Sequence, residues 1–298
     1  FIFDLAIPLY FISLLLLILV LFFGQEVNNH SSWFNFFGLK FQPSEFSKFS
    51  TALLLAKVFD SSSIKLNNLK NVFLVSLIFI TPSIIILLQG DTGTALVYFS
   101  FFLVFLREGL SVNYLILFLS MSIIFILGLL VDIYILYIVI TIIFLVYVGV
   151  SIRDIRKIIN SSILLVLAIL VINGQGFILN NVLSERQKKR VETLVNPNLD
   201  PLGSGWNITQ SKIAIGSGGF TGKGFLKGTQ TGLNFVPIQS TDFIFSVIGE
   251  EFGFIGSFFF ITIYIIFLYR ILFLSENQKD RFARVFGYSI FSIYLFHF

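Results

Sequence analysis

The groups able to do chemistry in this chain are few, and most lie between Ser184 and Gly253. That stretch opens with the cations Arg186, Lys188, Lys189 and Arg190 and continues through a glycine-rich run carrying Lys223 and Lys227. It ends around Asp242, set at the mouth of an apolar span. It holds seven of the chain's twenty Lys and Arg residues. A polar segment this long in a mostly apolar chain is usually functional or disordered; its mixture of aromatic, aliphatic and Gly residues favours an ordered loop. The Arg186–Arg190 cations suit either anionic lipid headgroups or a substrate's phosphates. In Gly216-Ser217-Gly218-Gly219-Phe220-Thr221-Gly222-Lys223-Gly224, successive glycine amides with Lys223 and Lys227 either hold a pyrophosphate or form a flexible turn. Chemistry is therefore expected in this loop and at Asp242, with the apolar spans as scaffold.

Two further places carry ionisable groups where they are expensive. Pro43 suits a helix first turn, and in Pro43-Ser44-Glu45-Phe46-Ser47-Lys48 the residues Glu45 and Lys48 are three apart, on one helix face within pairing distance. Ionisable residues in a membrane helix mark a functional site by default; the alternative is a structural salt bridge near the interface. Asp91, in Gln89-Gly90-Asp91-Thr92-Gly93-Thr94, either caps the following helix through its free amides or faces a substrate. Glu250 and Glu251 lie about two helical turns beyond Asp242. They are expected to be structural, paired with a basic group of another helix. Gly249, Gly253 and Gly256 give that span a small-residue face for close packing.

Several chemistries are excluded. The glycine run fails the phosphate-loop spacing: Ser217 stands where the first Gly is required, and Gly224 replaces the Ser or Thr after Lys. Ser62-Ser63-Ile64-Lys65 matches the SxxK of penicillin-binding enzymes but lies in an inner loop with no KTG after it. With no Cys there is neither a disulfide framework nor a thiolate metal site. His30 and His297 are too few and too far apart in sequence for a histidine zinc motif. A net charge of +4 follows from loop Lys and Arg and calls for no nucleic acid.

The elements that must position these groups are membrane helices. Hydrophobic residues make up 56% of the chain and charged residues 12%, about half the usual globular share, and mean hydropathy is +0.92. Apolar runs predict spans at 4–23, 43–59, 71–89, 92–107, 112–131, 133–150, 158–179, 242–272 and 283–298, with a kink at Pro82. The fold class is all-α, a polytopic transmembrane helical bundle forming one membrane domain over 1–298. A single large extracytoplasmic loop spans 180–241. Loops 57–70, 107–111, 151–157 and 270–284 carry eleven Lys and Arg, whereas the short loops on the other side carry only Lys40. Strict alternation puts all four basic loops inside and the large loop outside. The hairpin 112–150 is nearly devoid of polar residues and is expected to face lipid. The chain starts at Phe1 and stops at Phe298 within apolar runs, so it is expected to be a piece of a longer one.

Many short motifs occur in one order: Trp33; Phe41-Gln42-Pro43-Ser44-Glu45 with Lys48; Gln89 with Asp91-Thr92-Gly93-Thr94; Arg190-Val191; Asn196-Pro197; Asp200-Pro201-Leu202-Gly203. They continue with Gln210-Ser211-Lys212, Ala214-Ile215-Gly216-Ser217-Gly218-Gly219, Gly222-Lys223-Gly224, Thr241-Asp242-Phe243-Ile244-Phe245 and Gly249-Glu250-Glu251-Phe252-Gly253. In this the chain resembles the SEDS family (shape, elongation, division and sporulation), membrane enzymes that polymerise bacterial peptidoglycan. Gly228-Thr229-Gln230, Leu233, Phe235 and Pro237 favour its elongation (RodA) branch over its division (FtsW) branch. Ser32 stands where an Arg usually precedes the Trp, Ile238 where a Glu usually follows the Pro, and the hairpin 112–150 is an extra pair of spans. The resemblance implies two further spans before Phe1, and terminal helices with a Pro-rich, SYGGS-like segment after Phe298.

It also implies a function. Asp242 matches the family's catalytic aspartate, and Glu45 and Asp91 match other functional positions. A peptidoglycan glycosyltransferase would join lipid II disaccharide-peptide units on the outer face of the bacterial cytoplasmic membrane, with Asp242 as general base. Arg190, Lys48, Lys223 or a divalent cation would meet the leaving pyrophosphate, while Glu45 and Lys48 line the cavity. Lipid tails would lie between helices, and a class B penicillin-binding protein would be the partner. Two rivals stay open: a flippase for the same precursor, which suits intramembrane Glu45, Lys48, Glu250 and Glu251, and a non-catalytic scaffold for the penicillin-binding protein.

Overall fold

The computed structural model describes residues 2–27, 30–36, 39–61, 66, 68–150, 155–177, 181, 188, 193, 204–232 and 243–297. These residues are overwhelmingly helical, as expected, and fall into two compact units, 1–114 with 263–298 and 115–262.

In the first unit, α1 (Ile2–Phe23) is followed by a small antiparallel sheet that the apolar pattern did not announce. Its strands are β1 (Gln25–Val27), β2 (His30–Phe36) and β3 (Leu39–Phe41), in the order β1-β2-β3. Phe34 pairs with Phe41 and Asn35 with Lys40, so the sheet ends two residues before α2 (Pro43–Ser61) begins. The core is built on α2: Ala52, Leu55, Ala56 and Phe59, at helical spacing, are fully buried. Phe105 closes edge-on upon Phe59 at 5.7 Å and upon Phe79 at 5.6 Å. Small polar residues on α1 and α2 allow close approach, and Ser50 donates to Ser13 at 2.7 Å. The other side of α1 presents Phe11, Ile12, Leu15 and Phe22 outward, as a lipid-facing surface should.

α3 (Leu69–Leu88) runs through Pro82. Pro82 has no N–H for the carbonyl four residues back, Ile78, and an orphaned carbonyl is costly in hydrocarbon. The Tyr10 hydroxyl donates to that Ile78 oxygen at 2.9 Å. The expected span 92–107 is three pieces: α4 (Thr92–Val97), a 3₁₀ turn Tyr98–Phe101, and α5 (Phe102–Arg107). Residues three apart eclipse in a 3₁₀ turn, and Tyr98 and Phe101 are both fully buried. α11 (Arg281–His297) adds Val285, Tyr288 and Ile293 to the same core.

The second unit holds most of α6 (Val112–Leu130), then α7 (Ile133–Val150) and α8 (Ile155–Phe177). No residue of α6 is buried and only Leu136 of α7 is, in keeping with a lipid-facing hairpin. From the large loop, α9 (Ser204–Ser217) and the turns to Gly232 are described. α10 (Ile244–Glu276) follows, its first part in the second unit and the rest in the first. By length and composition, α1, α3, α6, α7, α8 and α10 can cross a membrane. The expected spans at α2, α4–α5 and α11 are too polar or too short for that criterion.

The glycine face of α10 is used differently from expectation. Gly253 has φ 63° and ψ −158°, a conformation essentially reserved to Gly, and interrupts the helix. Its amide neighbourhood is not another helix but the turn after α9: Phe254 N–H donates to Gly219 O at 2.9 Å and Ile255 N–H to Phe220 O at 3.2 Å. A Cβ on Gly253 would collide with the Gly222 nitrogen, and one on Gly222 with the Glu251 carbonyl. Both glycines serve a backbone-to-backbone approach. Gly253→Ala is therefore expected to lose about 1–3 kcal/mol through backbone strain alone, with collision adding to it, read as a lower thermal midpoint of the detergent-solubilised protein. An unchanged midpoint would show that the break is not needed.

Candidate active site

The structure brings three of the expected residues together in the first unit. α2 starts at Pro43, and just before it Gln42 donates from Nε2 to Asp91 Oδ2 at 3.2 Å. Asp91 is the N-cap of α4: Oδ1 accepts from Thr94 N–H at 3.1 Å and Oδ2 from the Thr94 hydroxyl at 2.8 Å. The capping alternative is thus the geometry observed, and the same carboxylate ties α4 to the turn that presents Glu45. One helical turn into α2, Lys48 Nζ donates to Glu45 Oε1 at 2.8 Å. The lysine side chain is 4% exposed and the glutamate 55%, so a withdrawn cation props up an open carboxylate.

A residue that sequence reasoning did not assign completes this group. His297, near the end of α11, places Nε2 against Lys48 Nζ. An ammonium only donates, so Nε2 must be the acceptor and the imidazole is neutral with its proton on Nδ1. The available sequence signal is a single imidazole within an apolar run. Tyr98 donates to Ser47 Oγ at 2.8 Å and fixes α2 at the residue before Lys48.

A second arrangement, in the other unit, is organised by Glu250. Its side chain is fully buried. Oε1 accepts from Thr229 N–H at 2.8 Å, Gln230 N–H at 2.9 Å, the Thr229 hydroxyl at 3.1 Å and Lys223 Nζ at 2.7 Å. Oε2 accepts from Thr231 N–H at 2.9 Å and the Thr231 hydroxyl at 2.7 Å. The turn 229–231 is thus an anion nest whose anion is the protein's own. The expectation of a basic partner from another helix is corrected: the cation, Lys223, comes from the loop, where glycine turns allow it to reach. Lys223 Nζ also donates to Ser217 Oγ and Thr229 Oγ1, both at 2.7 Å, so its charge is shared among three acceptors.

The glycine-run amides are also taken. Gly222 N–H donates to Gly218 O, Lys223 N–H to Glu250 O and Gly224 N–H to Glu251 O, at 2.9, 3.0 and 2.9 Å. That run is a backbone clasp on α10, which explains its glycines without a bound pyrophosphate. Ser211 and Ser246 hydroxyls meet at 2.6 Å and join α9 to the first turn of α10. Asp242 and Arg190 lie outside the described residues; the Ser211–Ser246 bond holds the first turn of α10 and the clasp holds it from Glu250 to Ile255. Among the described residues no three carboxylates or histidines gather as a metal site.

Removing the clasp's anion leaves an ammonium and three amides without their acceptor. Glu250→Ala is expected to destabilise the protein by about 3–5 kcal/mol. Lys223→Met added to it should restore part of the loss, because both charges are then gone. Thermal unfolding of the two variants checks this; strictly additive losses would contradict the pairing.

The sequence profile of a family of cell cycle proteins, FtsW, RodA and SpoVE, matches this chain over residues 1–135 and 130–298. The peptidoglycan glycosyltransferase MrdB of Escherichia coli strain K12 is 32% identical over 277 residues, covering 93% of this chain and 62% of MrdB. The peptidoglycan glycosyltransferase RodA of Treponema pallidum strain Nichols is 31% identical over 310 residues, covering 96% and 71%. A chain in a solved peptidoglycan synthase complex, one that coordinates polymerization and crosslinking, aligns with TM-score 0.62 and 27% identity. The alignment covers 98% of this chain and 67% of that one. This chain thus spans about three fifths of the length of MrdB.

Proposed function

This chain belongs to the FtsW, RodA and SpoVE family of cell cycle proteins, and from that premise we propose that it is the larger part of a peptidoglycan glycosyltransferase acting in cell elongation. It is a multi-pass membrane protein, and its membrane is taken to be the bacterial cytoplasmic membrane. The observation that carries the proposal is the likeness to glycosyltransferases along nearly the whole chain, together with carboxylates held at helix ends of one expected face.

The substrate is lipid II, a disaccharide-peptide on polyprenyl pyrophosphate. Asp242, as general base, takes the proton from the 4-hydroxyl of the acceptor sugar. That oxygen bonds to the anomeric carbon of the donor as the bond from this carbon to the pyrophosphate oxygen breaks. The configuration inverts, and polyprenyl pyrophosphate leaves with the electron pair. Arg190 is assigned to the leaving anion, with a divalent cation as a further candidate. Lys223 contributes through the clasp, its charge being shared with Glu250. Glu45, Lys48 and Asp91 are assigned as substrate contacts of the first unit: Glu45 is open, Lys48, itself met by His297, holds Glu45, and Asp91 is tied through Gln42 to the start of α2. A class B penicillin-binding protein is the proposed partner, as crosslinking accompanies polymerization in the complex that this chain resembles.

Asp242→Asn in the full-length protein is expected to abolish growth of glycan strands from purified lipid II while leaving the thermal midpoint within about 1 kcal/mol in stability terms. Strand growth at the wild-type rate in that variant would remove Asp242 from the mechanism. Precursor crossing vesicles with no polymer made by the wild type would favour the flippase reading. A stable penicillin-binding protein complex inert toward lipid II would favour the scaffold reading.

A further inference from the structure

On the face that the positive-inside rule assigns to the cytoplasm, the first unit has a polar recess of about 520 Å³. It lies where α5 ends, α10 ends and α11 begins, and has the size of a small-ligand site. Three arginines line it. Arg281 donates from Nε at 3.1 Å and Nη2 at 2.8 Å to Glu108 Oε2, and the Glu108 side chain is only 6% exposed. Arg107 is paired with Glu276 and lies over the Tyr288 ring, 5.5 Å from its centroid. Two of the guanidiniums are therefore held in fixed poses, one by a buried carboxylate and one between a carboxylate and an aromatic face.

Arg284 differs. It is half-buried, lines the same recess, and its guanidinium makes no hydrogen bond or ion pair among the described residues. Three cations against two carboxylates leave the recess one positive charge in excess. A planar fork of donors with no acceptor, beside two pre-oriented forks, matches a tetrahedral oxyanion. The surplus stands where α5 and α10 end and α11 begins, on the face expected to meet the cytoplasm; basic recesses between helices on that side take anionic lipid phosphates.

We propose that Arg107, Arg281 and Arg284 form a binding site for the phosphate of an anionic phospholipid of the inner leaflet, with Arg284 as its unpaired anchor. Its lining residues include none of Glu45, Lys48 and Asp91. Its occupant would hold the ends of α5, α10 and α11 at one depth in the bilayer. The site stands whether or not the chain polymerises glycan, since it rests on the recess alone.

The test uses the full-length protein in neutral detergent, titrated with short-chain phosphatidylglycerol, with phosphatidylcholine as the zwitterionic control and inorganic phosphate as the soluble arm. Native mass spectrometry reads occupancy. Wild type should prefer phosphatidylglycerol, and Arg284→Gln should weaken it about fivefold, the weight of one interfacial arginine. Arg284→Lys should keep most of the affinity, and both variants should melt as wild type does without lipid. Equal binding of the two lipids, or wild-type affinity in Arg284→Gln, would overturn the site. Displacement of the lipid by inorganic phosphate at matching concentration would overturn the lipid assignment.

Discussion

The buried carboxylate of Glu250 is the interaction on which the described part of the large loop depends. A charge withdrawn from water is tolerable only when its lone pairs are all met. Here backbone amides, two hydroxyls and one ammonium meet them. All come from a loop segment rich in Gly, Thr and Lys. The usual relation of loop to helix is thereby reversed: the helix supplies the anion and the loop folds around it. Fixing such a loop has a large entropic cost. The clasp of Gly222, Lys223 and Gly224 on the carbonyls of α10 adds a second line of attachment and spreads that cost over a ladder of bonds.

The same economy of polar groups shapes α2. A helix with Ser44, Ser47, Lys48, Ser50 and Thr51 all buried would not be stable in lipid alone. It lies instead among α1, α11 and the 92–107 segment, with Ser47 and Ser50 bonded to Tyr98 and Ser13 and its lysine set between Glu45 and His297. This is why α2 falls below the apolarity of a membrane span and still belongs to the bundle. The polar helix is inside because its neighbours can be outside.

Much of this was legible in the sequence, for identifiable reasons. Runs of Leu, Ile and Phe set the long helices to within a few residues, since the hydrocarbon thickness dictates their length. The i, i+3 spacing of Glu45 and Lys48 announced their pairing, and Asp91 before Thr-Gly-Thr announced a cap. The motif order pointed to the family whose profile the whole chain matches. What escaped depended on contacts distant in sequence. The three-stranded sheet has no clear alternation to betray it. Lys223 and Glu250 are 27 residues apart, and Lys48 and His297 are separated by 249. Glycines at 218–224 read equally as ligand cradle or turn, because both need bare amides; only the position of the α10 carbonyls decides.

The break at Gly253 shows why the clasp and the helix must be considered together. Were α10 continuous, its carbonyls near Glu250 and Glu251 would be occupied by amides one turn on, and none would be left for Lys223 and Gly224. The left-handed residue interrupts that ladder and releases those acceptors to the loop, while Phe254 and Ile255 donate outward to Gly219 and Phe220. Three features that look separate in sequence (a glycine inside an apolar span, a paired glutamate, and a glycine-lysine run in a loop) are thus one device. It holds α10 from Glu250 to Ile255 from the loop side, and the Ser211–Ser246 bond holds the first turn from α9. Loop and helix are thereby fixed to one another at two places, which is how a glycine-rich segment can hold one conformation against its entropy.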